Sequence, residues 1–202
     1  MIETKTIKSV PKLKDENMET PVERAVLMCG GKGSRMNLPF RGAREKPLVR
    51  VCGLRLVDHT LRALEEVGLE VTALASPNTL ETERYLSSLG VDVVTASGSG
   101  YVGDLIWYLR THRIAFPVLV LSADLIFQKN VLWHILEAYG RCETPALSCV
   151  REGKHVGINV VDGYLSTITD FQEETVVEVD GIFNVNTRED AFEVEKNLNF
   201  LK

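Results

Sequence analysis

Short apolar runs alternate with amphipathic segments over the first two-thirds of the chain, and this pattern predicts alternating β-strands and α-helices. The predicted strands are short, largely apolar and followed by glycine or polar residues, and they lie at residues 25–29, 70–75, 91–95 and 118–122. The predicted helices repeat apolar residues at helical spacing, and they lie at residues 56–67, 80–89, 102–112 and 130–139. Strands that alternate with helices form a parallel sheet covered on both faces.

The C-terminal part of the chain has a different pattern, in which glycine or charged turns separate short apolar segments. These segments predict strands, including antiparallel strands at the sheet edge, at residues 145–150, 156–161, 165–170 and 175–179. Thr187 and Asp190 then predict the capped start of a last helix, with Asp in place of the usual Glu or Gln. The predicted fold class is α/β, a Rossmann-like three-layer fold with a mostly parallel central sheet and a β-rich C-terminal half.

The charge and composition narrow the function classes. Residues 1–23 are charged with little apolar periodicity, so we expect a flexible N-terminal extension, and residues 24–202 are long enough for a single domain. The net charge of −5 argues against a general nucleic-acid surface, and no apolar run approaches the length of a membrane span. The N-terminus lacks the apolar core of a signal peptide, and the four cysteines lack C-x-x-C spacing. These features predict a cytoplasmic protein with reduced cysteines and no zinc site.

The first predicted strand runs into a loop that favours phosphate binding. Its residues are Gly30, Gly31, Lys32, Gly33, Ser34 and Arg35. Glycine lets a backbone approach a ligand closely, successive N–H groups in such a turn bind anions, and the two cations add the charge that phosphate needs. The chain contains no P-loop string, and the loop fails the dinucleotide fingerprint because Met36 stands where a glycine is required. The loop therefore belongs to another class of phosphate site.

Polar residues follow the other predicted parallel strands as well. Ser76 and Asn78 follow the second strand, Gly98 and Gly100 the third, and Asp124 the fourth. Ligands of parallel sheets bind beyond the carboxyl ends of the strands, so these residues are expected to meet the glycine-rich loop. A carboxylate in the position of Asp124 can reach a metal ion on nucleotide phosphates.

These motifs resemble, in their order, those of the nucleotidyltransferases, which join a nucleoside triphosphate to a phosphorylated acceptor and release pyrophosphate. The loop ends in Ser-Arg-Met and is followed by Glu-Lys-Pro-Leu at residues 45–48. Ser-Pro-Asn-Thr, Gly-x-Gly-Tyr-x-x-Asp-Leu, Ser-x-Asp-Leu-Ile, Gly-Ile-Asn-Val-Val and Phe-Asn-Val-Asn-Thr then follow. Over residues 24–200 the chain resembles the stand-alone GTP:adenosylcobinamide-phosphate guanylyltransferases of cobalamin biosynthesis, which are related to the molybdenum-cofactor guanylyltransferases.

The resemblance implies roles for particular residues. Arg35 and Lys46 would contact phosphates as catalytic groups, and Asp124 would hold Mg²⁺. Asn184 and Asn186 match the family's second metal-facing string, which favours one of these asparagines as a metal ligand, with a turn and a helix cap as the alternative. The Gly98–Gly100 loop would receive the base and ribose, with Ser76 and Asn78 on the opposite wall.

Two further assignments stay open. Asp104 would accept hydrogen bonds from guanine or ribose, or else stabilise the helix dipole as a first-turn acid. Gly157 and Asn159 would line the acceptor side, or else belong to an ordinary strand with a bulge at the glycine.

The implied partners are GTP and a phosphorylated corrinoid. Because the chain lacks the P-loop of a kinase, only the phosphorylated corrinoid is expected as acceptor. A molybdenum-cofactor or sugar-phosphate nucleotidyltransferase, and a non-catalytic nucleotide-binding regulator, are the alternatives, and a homodimer is left open. Asn37 stands where relatives often have glycine, and the loop at residues 37–45 is longer than usual, which leaves open whether Arg41 or Arg44 reaches a phosphate.

Overall fold

A computed structural model of the chain describes residues 5–7, 21–169 and 172–197. Its strands are β1 (Lys5–Ile7), β2 (Arg24–Met28), β3 (Arg50–Val51), β4 (Leu54–Arg55), β5 (Glu70–Ala75), β6 (Asp92–Thr95), β7 (Pro117–Ser122), β8 (Leu125–Phe127), β9 (Ala146–Arg151), β10 (Lys154–Asp162), β11 (Glu174–Glu178) and β12 (Ile182–Asn184). Its helices are α1 (Leu56–Glu66), α2 (Leu80–Ser88), α3 (Tyr101–Thr111), α4 (Val131–Gly140), α5 (Leu165–Ile168) and α6 (Arg188–Lys196).

The central sheet has the strand order β1-β11-β9-β10-β7-β2-β5-β6 within the described residues. All neighbours in it pair in parallel except at β10, which runs antiparallel to both β7 and β9. The chain leaves β2 towards β5 and β6 on one side, then crosses back to β7 on the other side. Strand order therefore reverses at the carboxyl end of β2, where open parallel sheets bind ligands.

Alternating side chains of the central strands create the two outer layers. On one face, Leu27, Leu119 and Leu121 are buried in a core that includes residues of α1, α2 and α4. On the other face, Val26 and Val120 are buried against α3. Successive strand residues point to opposite faces of the sheet. A strand that is apolar at every position therefore packs against helices on both faces. The predicted three-layer α/β fold with a mostly parallel sheet is confirmed.

Helix α6 fixes the segment that follows the glycine-rich loop. Arg188 donates to the carbonyl oxygens of Met36 at 3.1 Å and Pro39 at 3.2 Å, and also to that of Asn37. Arg41 pairs with Glu195 through two hydrogen bonds of 2.5 and 2.8 Å. The long loop is therefore held by the C-terminal helix.

The C-terminal half corrects two predictions. Residues 165–170, predicted as a strand, contain the short helix α5, because the Asp162 carboxylate accepts a hydrogen bond from the Leu165 N–H at 2.8 Å and starts a helical turn. The antiparallel strand, predicted at an edge, is β10 in the interior of the sheet. By contrast, the predicted capping box is confirmed, since the Thr187 hydroxyl accepts from the Asp190 N–H and the Asp190 carboxylate accepts from the Thr187 N–H.

The predicted N-terminal extension is described only in part. Lys5–Ile7 forms strand β1 and pairs in parallel with β11 at the edge of the sheet. Residues 1–4 and 8–20 of the extension lie outside the described residues. None of the helices in the described ranges is long and apolar enough to cross a lipid bilayer.

Candidate active site

A cavity of about 460 Å³ opens at the carboxyl ends of the parallel strands, around the glycine-rich loop. Most of the predicted site residues line it: Gly30, Gly31, Lys32, Gly33, Ser34, Arg35, Lys46, Asn78, Gly98, Gly100, Asp104, Asp124 and Asn186. The loops after four different strands thus meet at one point, as the parallel topology requires.

The glycine-rich loop is shaped by close backbone packing. Gly33 has φ of +61°, and a Cβ placed on it would lie 2.8 Å from the Cβ of Lys46, so a larger residue would be both strained and crowded. Lys32 and Arg35 are exposed, and neither makes a hydrogen bond or ion pair within the described chain. Their charges are therefore available to a phosphate ligand.

Lys46 lies at the centre of a polar cluster on the floor of the cavity. Its side chain is only 10% exposed, and its ammonium donates to the Oδ2 atom of Asp124 and, at 2.9 Å, to the Oδ1 atom of Asn186. The amide nitrogen of Asn186 donates in turn to the Oδ1 atom of Asn184 at 2.7 Å. Asn184 thus lies behind Asn186 and orients it, and it is absent from the described cavity lining.

The same cluster suits a hard divalent cation. The Oδ1 atom of Asp124 is buried and has no hydrogen-bond partner among the described residues, which is a costly state for a carboxylate oxygen. Mg²⁺ prefers oxygen ligands and is usually held by one or two carboxylates together with substrate phosphates. Asp124 and Asn186 supply such oxygens at the cavity wall, so these residues fit a magnesium ion bound jointly with a nucleotide.

Asp104 holds the loop that follows β6. It is 5% exposed, and its Oδ1 atom accepts from the N–H of Gly98 at 3.1 Å and from the N–H and hydroxyl of Ser99 at 3.0 Å each. The carboxylate therefore fixes the backbone of the predicted base-binding loop, a role beyond the two that its sequence position suggested.

Ser76 joins two loops instead of lining the cavity. It is fully buried, its hydroxyl donates to the carbonyl oxygen of Gly30 at 2.8 Å, and it accepts from the N–H of Asn78 at 3.1 Å. The predicted place of Ser76 on the cavity wall is therefore corrected, since its hydroxyl is turned towards the backbone of the glycine-rich loop.

Glu45 caps helix α2, which sequence reasoning missed. Its Oε1 atom accepts from the N–H of Glu81 at 2.8 Å, and its Oε2 atom accepts from the N–H and hydroxyl of Thr82 at 2.6 Å each. Thr79, the residue directly before the helix, does not cap it with its side chain, because the Thr79 hydroxyl bonds to the backbone of Ser76 instead. The only sequence signal was the place of Glu45 directly before Lys46.

The predicted acceptor-side residues reach the cavity only through their neighbours. Gly157 has φ of +79°, and a Cβ on it would lie 2.9 Å from the Ser122 hydroxyl, at a register shift between β9 and β10. The Asn159 side chain lies near the hydroxyl of Tyr101, a residue that lines the cavity. Gly157 thus has the bulge geometry that was the alternative to a ligand role, and Tyr101 is an additional wall residue.

The arginines of the long loop differ in their surroundings. The Arg41 guanidinium donates to both carboxylate oxygens of Glu195, which raises the pKa of Arg41, and it also donates to the carbonyl oxygen of Arg50 at 2.7 Å. Arg44 is exposed and makes no hydrogen bond or ion pair within the described ranges. Of the two, Arg44 is the arginine whose charge is unpaired.

Comparison with known proteins gives the chain a family. Residues 25–176 match the MobA-like NTP transferase domain. An adenosylcobinamide-phosphate guanylyltransferase of Methanocaldococcus jannaschii is 33% identical over 195 residues, covering 82% of this chain and 92% of the relative. A CMP-5'-(3-aminopropyl)phosphonate synthase of Streptomyces rubellomurinus is 29% identical over 167 residues, covering 73% of this chain and 24% of that protein.

Solved structures share the fold at low sequence identity. The inositol-1-phosphate CTP transferase from T. maritima superposes with a TM-score of 0.65 at 13% identity, covering 90% of this chain and 98% of that one. A Bacillus anthracis protein described as a glucose-1-phosphate thymidylyltransferase superposes with a TM-score of 0.68 at 14% identity, covering 89% and 97%. The fold is that of nucleotidyltransferases, and the chain is an enzyme that belongs to the MobA-like NTP transferase family.

Proposed function

We propose that this enzyme transfers GMP from GTP to adenosylcobinamide phosphate, giving adenosylcobinamide-GDP and pyrophosphate, a step of cobalamin biosynthesis. The nucleotidyl transfer is supported by the cavity in which the glycine-rich loop meets Lys46, Asp124 and Asn186. The acceptor is supported by the 33% identity to a relative that carries this name over most of both chains. The observation that carries the proposal is that most residues of the nucleotidyltransferase-like motifs line one cavity.

The chain's own groups would bind the triphosphate at the glycine-rich loop. Its N–H groups and the free charges of Lys32 and Arg35 would hold the phosphate oxygens, and the base would lie between Asn78 and the loop fixed by Asp104. Mg²⁺, held by Asp124 and Asn186, would neutralise charge on the phosphates. An oxygen of the acceptor phosphate would then attack the α-phosphorus in line, forming the new phosphoanhydride bond as the bond to pyrophosphate breaks.

The nucleotide preference follows from hydrogen-bond matching. Guanine presents N1–H and N2–H₂ donors to backbone carbonyls of the base loop, whereas adenine would leave such acceptors unpaired. An unpaired buried acceptor costs about 1–3 kcal/mol, which corresponds to roughly fivefold to 150-fold in affinity. GTP should therefore bind more tightly than ATP by calorimetry, and equal affinities would contradict the guanine assignment.

The decisive experiment is a product assay with matched acceptors. The enzyme should convert adenosylcobinamide phosphate and GTP to a cobinamide carrying GDP, with an equal amount of pyrophosphate, and should leave unphosphorylated cobinamide unchanged. Asp124→Ala should lower turnover far more than GTP affinity, because charge neutralisation matters most in the transition state. Formation of GDP from unphosphorylated cobinamide would be kinase chemistry and would contradict the proposal.

The same assay identifies the alternative acceptors. Brisk turnover of molybdopterin or of a sugar phosphate, with none of the corrinoid, would assign the enzyme to another branch of its family. If the protein binds nucleotide but none of these acceptors causes pyrophosphate release, a wider set of acceptors should be tested. Small phosphonates come first, because one relative is named as a phosphonate synthase.

A further inference from the structure

We propose that Lys46 keeps a divalent cation away from Asp124 and Asn186 until a nucleoside triphosphate is present, so that metal binding depends on nucleotide binding. The inference deepens the proposed function and rests on it only as far as nucleotidyl transfer is concerned. It gives Lys46 a positioning role in addition to the phosphate contact that its motif implies.

The ammonium of Lys46 occupies the oxygens that a metal would use. It contacts the Oδ2 atom of Asp124 and, at 2.9 Å, the Oδ1 atom of Asn186. Mg²⁺ binds its oxygen ligands at about 2.0–2.1 Å, so an ion sharing these oxygens would lie within a few ångströms of the ammonium. The repulsion between a single and a double positive charge at such a separation in a partly buried site is large.

The surrounding residues fix the backbone and Cβ of Lys46, while its ammonium group remains within reach of a second anionic partner. The residue begins a 3-10 turn with Pro47 at its next position, and Gly33 leaves room for the Cβ of Lys46. The ammonium faces the same cavity as the glycine-rich loop. Phosphates bound to that loop would offer the ammonium a new anionic partner and would supply further oxygens to the metal.

The second carboxylate oxygen of Asp124 is also available to a cation. Because its Oδ1 atom is buried and unpartnered among the described residues, the carboxylate keeps an unused acceptor while Lys46 neutralises its charge. A lone carboxylate and one amide oxygen form a weak site for a hydrated ion, and the lysine weakens it further. Withdrawal of the ammonium towards phosphate would free the Oδ2 atom as well, so that neither carboxylate oxygen would have a protein partner.

The test measures metal binding by the full chain without nucleotide, using Mn²⁺ and the electron paramagnetic resonance signal of free Mn²⁺. Lys46→Met should bind Mn²⁺ at least about tenfold more tightly than the wild type, since one repelling charge is removed next to the site. Lys32→Met is the matched control, because Lys32 lines the same cavity without contacting Asp124, and it should leave Mn²⁺ affinity near that of the wild type. Adding Asp124→Asn to Lys46→Met should abolish the gain.

Equal Mn²⁺ affinities of the wild type and Lys46→Met, or an equal gain in Lys32→Met, would overturn the proposal. If Lys46→Met does not fold by circular dichroism, the wild type provides the second measurement. Its Mn²⁺ affinity should rise with a saturating non-hydrolysable GTP analogue, after correction for Mn²⁺ bound by free nucleotide, and an unchanged affinity would refute the idea. These readouts involve no corrinoid, so a failed acceptor assay and a failed metal test are distinguishable.

Discussion

Replacing Glu45 by alanine tests how the site is built, because this residue joins the start of the Lys46 turn to helix α2. Its carboxylate accepts three hydrogen bonds, two from the N–H groups of Glu81 and Thr82 and one from the Thr82 hydroxyl. The donors belong to the second and third residues of the helix, which have no partners within the helix itself. The negative charge also lies at the positive end of the helix dipole.

The magnitude follows from the exposure of these donors. Loss of a helix cap costs about 0.5–2 kcal/mol, and a hydrogen bond to a charged group contributes about 1.5–3 kcal/mol. The bond to Glu81 is exposed, so water replaces part of it, whereas the bonds to Thr82 are partly buried. We therefore expect Glu45→Ala to lower the free energy of unfolding by about 2 kcal/mol, which corresponds to a Tm lower by about 4–8 °C for a chain of this size.

Calorimetric unfolding of three variants checks this expectation. Glu45→Gln keeps one acceptor oxygen and should fall between the wild type and Glu45→Ala. Glu65→Ala, an exposed glutamate whose side chain makes no hydrogen bond in the described chain, should change the free energy of unfolding by no more than about 0.5 kcal/mol. A Glu45→Ala protein as stable as Glu65→Ala would show that the capping contacts do not contribute, and the assignment of Glu45 would be withdrawn.

Three further predictions address the glycine-rich loop, the ion pair between the long loop and α6, and the cysteines. Gly33→Ala should destabilise the protein by about 1–2 kcal/mol or more, since φ is +61° and the new Cβ would meet Lys46, whereas Gly31→Ala, with open space around it, should not change the Tm. The hydrogen bond with Arg41 lowers the pKa of Glu195, so this pair stabilises the fold above the ordinary glutamate pKa and its contribution is lost as pH falls through the lower folded value. Arg41→Met should therefore cost stability in neutral urea titrations and much less in strongly acidic ones, and an equal cost at both pH values would refute the ion pair. Two of the cysteines are buried, which raises the pKa of their thiols, and a thiol reagent should label them only after unfolding, in contrast to the two partly exposed cysteines. The buried pair is Cys29 and Cys149.

The alternation of strands and helices could be predicted because its signals are local. Each of the four strands predicted at residues 25–29, 70–75, 91–95 and 118–122 is a short, largely apolar run followed by a glycine or polar residue, and each intervening helix repeats apolar residues on one face. The cavity could be anticipated for the same reason, because parallel strands end at one edge and carry their following loops there. Neither inference needs contacts between distant residues.

The errors in the C-terminal half come from side chains that act on the backbone of neighbouring segments. At residues 165–170 the apolar residues fit a strand as well as a helix. The Asp162 carboxylate favours the helix because it accepts a hydrogen bond from the Leu165 N–H. The Gln172 side chain also donates to the Asp162 carbonyl oxygen at 2.9 Å. Neither hydrogen bond can be inferred from the pattern of apolar residues alone.

The roles within the site depended on contacts that join remote parts of the chain. Ser76 was predicted to face the ligand because it follows a strand, and Asp104 was predicted either to contact the ligand or to stabilise the helix dipole. Both side chains instead form hydrogen bonds with loop backbone. This outcome follows from the topology that brings the loops together. A site assembled from the ends of several strands needs groups that bind ligand and others that hold glycine-rich backbone in shape, and polar residues of both kinds occur in the same motifs.

Lys46 shows why contacts within the site matter for the proposed mechanism. Its place in the Glu-Lys-Pro-Leu motif implied a phosphate contact, and Asp124 and Asn186 were assigned to a metal ion, as if the three acted separately. The fold brings them into one cluster, although 78 residues separate Lys46 from Asp124 and 140 separate it from Asn186. On the proposed metal dependence, the Lys46 ammonium would exchange these oxygens for nucleotide phosphate when nucleotide and metal bind. The order of ligand binding would then depend on contacts between residues that the sequence shows only as separate motifs.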